Sequence, residues 1–160
     1  MRNKIAEPFR GDTMSHSYAR NYVHVIFSTR ERHRKLLAPI QPNLRAYIQG
    51  IARNYGIQLL AIGGTEDHVH LVMALPPKLS LAHAIGVIKA NSSKWMNETG
   101  HLFAWQDGYG AFSVSASNLD AVVKYVEHQA EHHASRDFAA EFRAFLHKHG
   151  IECDPAYVDR

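Results

Sequence analysis

The apolar and polar positions of this 160-residue chain change period several times, and each change marks an element. From Tyr22 the run YVHVIFST alternates. Tyr22, His24, Ile26 and Ser28 fall on one side and Val23, Val25 and Phe27 on the other, as in a strand with one apolar face. After the basic segment RERHRK the period lengthens to three and four through Leu44, Tyr47, Ile48, Ile51 and Tyr55. With Pro39 at its start and Gly56 at its end, this stretch predicts a helix. The β-rich runs IQLLAIGG and HVHLVMAL follow, separated by Thr65, Glu66 and Asp67, and they read as an antiparallel hairpin that Pro76 and Pro77 bring to a stop. A second helix begins at Ser80 with Leu81, Ala84, Ile85, Ile88 and Trp95 along one side and Gly100 just past its end. HLFAWQDGYGAF reads as an irregular loop of packed rings, and FSVSAS as a short strand. Ser117 or Asn118 caps a third helix with the stripe Leu119, Val122, Val123, Val126 and Ala130, and residues 137–149 form a last, shorter one.

The order β-α-β-β-α-β followed by helices predicts an α+β fold of the split βαβ, ferredoxin- or RRM-like kind: a four-stranded antiparallel sheet with helices on one face plus C-terminal helices. Residues 1–14 show no periodicity and read as a flexible tail, residues 15–150 as a single domain and residues 151–160 as a C-terminal tail.

Composition narrows the class. With 46% hydrophobic and 21% charged residues the chain is globular, and its apolar runs fall far short of the roughly 18 residues that span a bilayer. The lone Cys153 excludes an intrachain disulfide and a Cys-rich zinc site, and the first residues lack a secretory pattern, so the expected compartment is the cytoplasm. The net charge of +3 is unevenly spread: residues 1–50 carry +6, residues 51–100 +1 and residues 101–160 −4. Arg30, Arg32, Arg34 and Lys35 crowd one short segment, which suits either a phosphate backbone or a solvated loop.

Candidate chemistry lies in EDHVHLVM. Strand alternation puts Glu66, His68 and His70 on one face, with the two imidazoles roughly 7 Å apart at their backbones. Such a pair is either the polar side of a half-buried strand or two ligands of one metal ion in need of a third. On the third helix Tyr125 and Gln129 are one turn apart and flank the apolar stripe by roughly 90°. By themselves they read as a rim tyrosine and a surface amide. On a helix that must cover the histidine face they become candidates for the same site.

Together, the HVH triplet, the aromatic WQDGYGAFSVS segment and the YVEHQ stretch resemble the small HUH-type single-tyrosine transposases of bacterial insertion sequences, including the relatives associated with repetitive extragenic palindromes. The resemblance spans Ser17 to about His133. It implies that His68 and His70 are metal ligands with Gln129 as the third, that Tyr125 is the nucleophile, and that the cofactor is Mg²⁺ or Mn²⁺. The implied reaction cleaves and rejoins single-stranded DNA at hairpin-containing element ends through a 5′-phosphotyrosine. The implied assembly is a homodimer in which the tyrosine helix serves its own or its partner's site. Glu66 is a candidate accessory base, and Arg30, Arg32, Arg34 and Lys35 are candidate DNA contacts. No role transfers to the tail before Met14 or to the final helix. Two other readings stand beside this one: a non-catalytic RRM-like nucleic-acid-binding module, and a hydrolase whose histidine-bound metal activates water. Trp105, Tyr109 and Phe112 are expected to be packing rings rather than base-stacking platforms.

Overall fold

A computed structural model describes residues 18–129 and 137–158, so the expected tail 1–14 and the stripe residue Ala130 lie outside the described residues. In chain order the elements are β1 (Tyr22–Ser28), α1 (Gln41–Asn54), β2 (Gln58–Gly64), β3 (His68–Ala74), α2 (Leu81–Glu98), β4 (Gly110–Val114), α3 (Leu119–Glu127), α4 (Phe138–Lys148) and α5 (Pro155–Val158). The four strands form one antiparallel sheet in the order β2-β3-β1-β4. This is the α+β architecture that the periodicity predicts.

The two faces of the sheet have different covers. Val23, Val25 and Phe27 of β1 stand opposite Met73, Leu71 and Val69 of β3, and this apolar face packs on Leu44, Ile48 and Ile51 of α1 and Ala84, Ile85 and Ile88 of α2. Ser80 caps α2 by accepting the His83 N–H at 3.2 Å, and α1 starts at Gln41, two residues beyond the expected Pro39, with Pro42 in its first turn. Trp105 belongs to this core: its indole N–H donates to Ser92 Oγ at 2.9 Å, and its ring meets Phe27 edge-on. Phe112 is buried on the other face while Tyr109 remains partly exposed, so two of the three rings pack as expected.

The second face holds His24, Ile26, His68, His70 and Val72, and the C-terminal helices cover it. Val126 of α3 joins Ala61 and Val72, while Phe138 and Leu146 of α4 join Ile26 and Phe112. Consequently every residue of β1 is buried, and so are residues His68 to Met73 of β3. The alternation of polar and apolar residues separates two covered faces rather than core from solvent. Within residues 151–160, expected as a tail, Pro155–Val158 form α5, whose Val158 is buried in the cluster of α4. No described helix is long and apolar enough to cross a membrane.

Candidate active site

β3 leaves its hairpin turn at His68, and the turn itself orients the first imidazole. Asp67 Oδ1 lies 2.6 Å from His68 Nδ1, and the Thr65 hydroxyl donates to the same carboxylate oxygen at 3.1 Å. The turn is tied to the end of β1, where Thr29 donates to the Asp67 carbonyl from its N–H at 2.8 Å and from its hydroxyl at 3.1 Å. His70 has a different neighbour. Its Nδ1 is 2.9 Å from Nε2 of His24, which lies on β1 two residues from Ile26, the register partner of His70. Burial, reinforced by the neighbouring His70, holds the His24 pKa down to about 3, so that ring stays neutral near pH 7. With Nδ1 of His68 turned to Asp67 and Nδ1 of His70 turned to His24, the two rings direct their Nε2 atoms toward one point. That is the arrangement by which outer partners orient metal-binding histidines.

A carboxylate stands at that point. Glu141 of α4 is 4% exposed, and its Oε1 lies 2.7 Å from His70 Nε2 and 3.9 Å from His68 Nε2. α4 is seated over the pair by its aromatic residues, the Phe138 ring lying 4.7 Å from the His68 ring and the Phe145 ring 5.1 Å from His24. Asp137 caps this helix by accepting the Ala140 N–H at 2.8 Å. Sequence reasoning assigned Glu141 no role, although one signal was present: an acid three residues after Phe138, on the side of the apolar stripe Phe138, Phe142, Phe145.

α3 brings Tyr125 to the same place. Its ring centroid is 6.0 Å from that of His70 and 5.6 Å from that of Phe145, all within one chain. The approach depends on Gly63, which pairs with His70 in the sheet register. A Cβ at Gly63 would collide with the carbonyl of Val126. A cavity of about 300 Å³ opens beside the tyrosine, lined by His24, Asn118, Tyr125, Glu141, Phe145 and Lys148. Gln129, just past the end of α3, is buried and donates its amide to the Tyr125 carbonyl at 3.1 Å. Gln129 is therefore not the surface amide its spacing suggested, while Tyr125 is half-buried with its ring packed on His70 and Phe145.

Glu66 departs from its expected place. The strand begins only at His68, so alternation does not reach Glu66, which is exposed in the turn with its carboxylate 3.9 Å from Arg34. The acid beside the histidines is Glu141. Of the basic residues, Arg30, Arg34 and Lys35 are exposed and Arg32 is half-buried, on a loop that leaves β1 opposite His68. This loop holds Glu31 and Arg32 at φ near 54° and 52°, a left-handed backbone costly for side-chain-bearing residues. The Arg30 N–H donates to the Ala104 carbonyl and the Glu31 N–H to Gln106 Oε1, and both bonds help hold it there.

Two imidazole nitrogens and a carboxylate oxygen within 4.8 Å of one another form a mixed N/O donor set that can hold a divalent ion. The covered sheet face, with α3 and α4 upon it, offers no open platform of aromatic rings of the kind RNA-recognition domains use.

Residues 17–129 match the model of a family described as IS200-like transposase. Among its relatives, the chain is 24% identical over 116 residues to the ISDra2 transposase TnpA of Deinococcus radiodurans, covering 66% of this chain and 81% of that protein. It is 23% identical over 116 residues to the transposase for insertion sequence element IS200 of Salmonella typhimurium, covering 68% and 76%. Among solved structures, the fold is similar to that of a candidate transposase from Deinococcus radiodurans R1, with a TM-score of 0.60, 22% identity, and coverage of 72% of this chain and 95% of that one. A REP-associated tyrosine transposase bound to a REP hairpin aligns with a TM-score of 0.55 and 18% identity, covering 70% and 68%.

Proposed function

This chain belongs to the family of IS200-like transposases, proteins of DNA cleavage and transfer, and from that premise we propose that it cleaves and rejoins single-stranded DNA with Tyr125 as the nucleophile. The observation that carries the reading is the meeting, in one chain, of Tyr125 with the oriented pair His68 and His70. His68, His70 and Gln129 would hold a divalent ion, Mg²⁺ or Mn²⁺, which when bound supplies positive charge to the non-bridging oxygens of a phosphodiester. Asp67 and His24 keep the two imidazoles in the ligating tautomer. Tyr125 forms a bond from its phenol oxygen to phosphorus as the bond from phosphorus to the 3′ oxygen breaks, leaving a 5′-phosphotyrosine and a free 3′-hydroxyl. Attack by a 3′-hydroxyl on that ester reverses the exchange and rejoins strands. Bond energy is conserved in the ester, so no nucleoside triphosphate is needed, in keeping with the absence of a Gly-rich phosphate loop followed by lysine from the sequence.

Hairpin-bearing single strands are the proposed substrate, supported by the REP hairpin bound to a structural relative. The exposed Arg30, Arg34 and Lys35, with Arg32, lie beside the His68 end of the site and would carry phosphates of that strand. Assembly as a homodimer is also proposed, with each site built from a single subunit because Tyr125 packs against its own sheet.

The test is a covalent adduct. Protein mixed with a hairpin-containing single strand and Mg²⁺ or Mn²⁺ is expected to form a denaturation-resistant species whose mass maps to Tyr125, and Tyr125→Phe should form none. An adduct on another tyrosine, or cleavage that survives in Tyr125→Phe, would overturn the assignment.

A further inference from the structure

α4 takes no part in the family resemblance, which ends near His133, yet its one buried acid lies against the histidine pair. From this placement we infer that Glu141 is a metal ligand, so that the site is His68, His70 and Glu141 with Gln129, and α4 is a working part of it. The inference rests on the proposal that the histidine pair holds a divalent ion.

Three observations converge on it. The Nδ1 atoms of both histidines face other partners, Asp67 and His24, so both Nε2 atoms are turned to the place that Glu141 occupies. The separations suit a common ion: ligands bound at about 2.1 Å in an octahedral shell lie about 3 Å apart when adjacent and about 4.2 Å apart when opposite. Glu141 Oε1 is 2.7 Å and 3.9 Å from the two nitrogens. A carboxylate that served only to fasten α4 would need one hydrogen-bond donor, whereas this one faces two ring nitrogens on alternate positions of a strand. Finally, α4 is held in register by contacts independent of Glu141. These are Phe138 against His68, Phe145 against His24, and Phe142 over Gly110, where a Cβ would run into the ring.

A carboxylate changes what the site selects. Two imidazoles and an amide form a neutral set, while an anionic oxygen adds charge matched to a hard dication and draws the site toward Mg²⁺ and Mn²⁺. It also couples the ion to the fold, because an ion bound by β3 and α4 together ties the C-terminal helix to the sheet.

The test measures Mn²⁺ binding by isothermal titration on the full chain without DNA, alongside the melting temperature with and without Mn²⁺. Glu141→Gln keeps the size of the side chain and is expected to weaken Mn²⁺ binding by about tenfold or more and to shrink the Mn²⁺-induced rise in melting temperature. If Glu141→Gln does not fold, Glu141→Asp, which keeps the charge but withdraws it by one methylene, is expected to show the same loss. His68→Ala is the reference. Wild-type affinity in the Glu141 variant beside lost binding in His68→Ala overturns the role of Glu141 and leaves the histidine site standing. Tighter Mn²⁺ binding in Glu141→Gln also overturns it, making Glu141 a competitor for the histidines. Binding equal in wild type and His68→Ala, or absent from both, removes the metal reading of the pair and this inference with it.

Discussion

A buried imidazole beside another imidazole resists protonation, and His24 shows what that does to acid stability. Its pKa is lowered from 6.5 to about 3, first by burial and then by His70. Between those values the unfolded chain binds a proton that the folded chain refuses, so the stability tied to a neutral His24 is complete above pH 6.5. It is lost progressively as the pH falls toward 3, by up to about 1.4 kcal/mol per pH unit. The urea midpoint of the metal-free protein is therefore expected to drop between pH 7 and pH 4. In His24→Gln, unfolding over that range should take up about one proton fewer. Equal pH slopes for the two proteins would remove His24 as the cause.

The helix that carries Tyr125 is set against the sheet by a missing side chain. Gly63 lets the Val126 carbonyl approach β2 directly, and the same glycine pairs with His70 across to β3. Gly63→Ala forces α3 outward. Overpacking of this kind costs about 1–3 kcal/mol, or roughly 3–10 °C in melting temperature for a domain of this size. Strand cleavage should fall further than the loss of folded protein explains, since Tyr125 moves with the helix. Gly50→Ala is the control. It sits within α1 with nothing in reach of an added Cβ, so it should leave the melting temperature unchanged or raised. A Gly63→Ala protein as stable and active as wild type would show that α3 is not held by this contact.

Across the molecule, the basic loop after β1 and the oriented histidines lie at the same end of the sheet, because Ser28 stands opposite His68. Arg34 is exposed, and its 3.9 Å approach to Glu66 is too solvated to hold it back from a phosphate. Arg34→Ala is expected to reduce the salt slope of single-strand binding, log affinity against log salt, by about 0.7, and Lys35→Ala by a similar amount. An unchanged slope would place the strand elsewhere. The packing of Tyr125 on its own sheet yields a second expectation. A mixture of His68→Ala and Tyr125→Phe chains should remain inactive in strand cleavage, whereas recovered activity would mean that the helix serves a partner's site.

Much of this architecture is legible in local pattern. The two-residue alternation of YVHVIFS, the three-and-four spacing of Leu44, Ile48 and Ile51, and the stops at Gly56 and Pro76 each act over a few residues, so the elements follow from covalent geometry and turn chemistry alone. The segments that carry the proposed site residues His68, His70, Tyr125 and Gln129 stand out for the same reason, being two short stretches with fixed internal spacing. The contributions of His24, Asp67 and Glu141 are different in kind. His24 reaches His70 only through the register of two strands 46 residues apart, and Glu141 reaches both histidines only because α4 folds back over the face opposite α1 and α2. No spacing along the chain encodes those distances. Glu66 shows the converse: strand alternation carried it onto the histidine face, but β3 begins only two residues later, at His68, and the turn leaves Glu66 in solvent. Neighbours in sequence are set by the backbone's own periods, while the partners that orient and complete a site are set by which faces must be buried together.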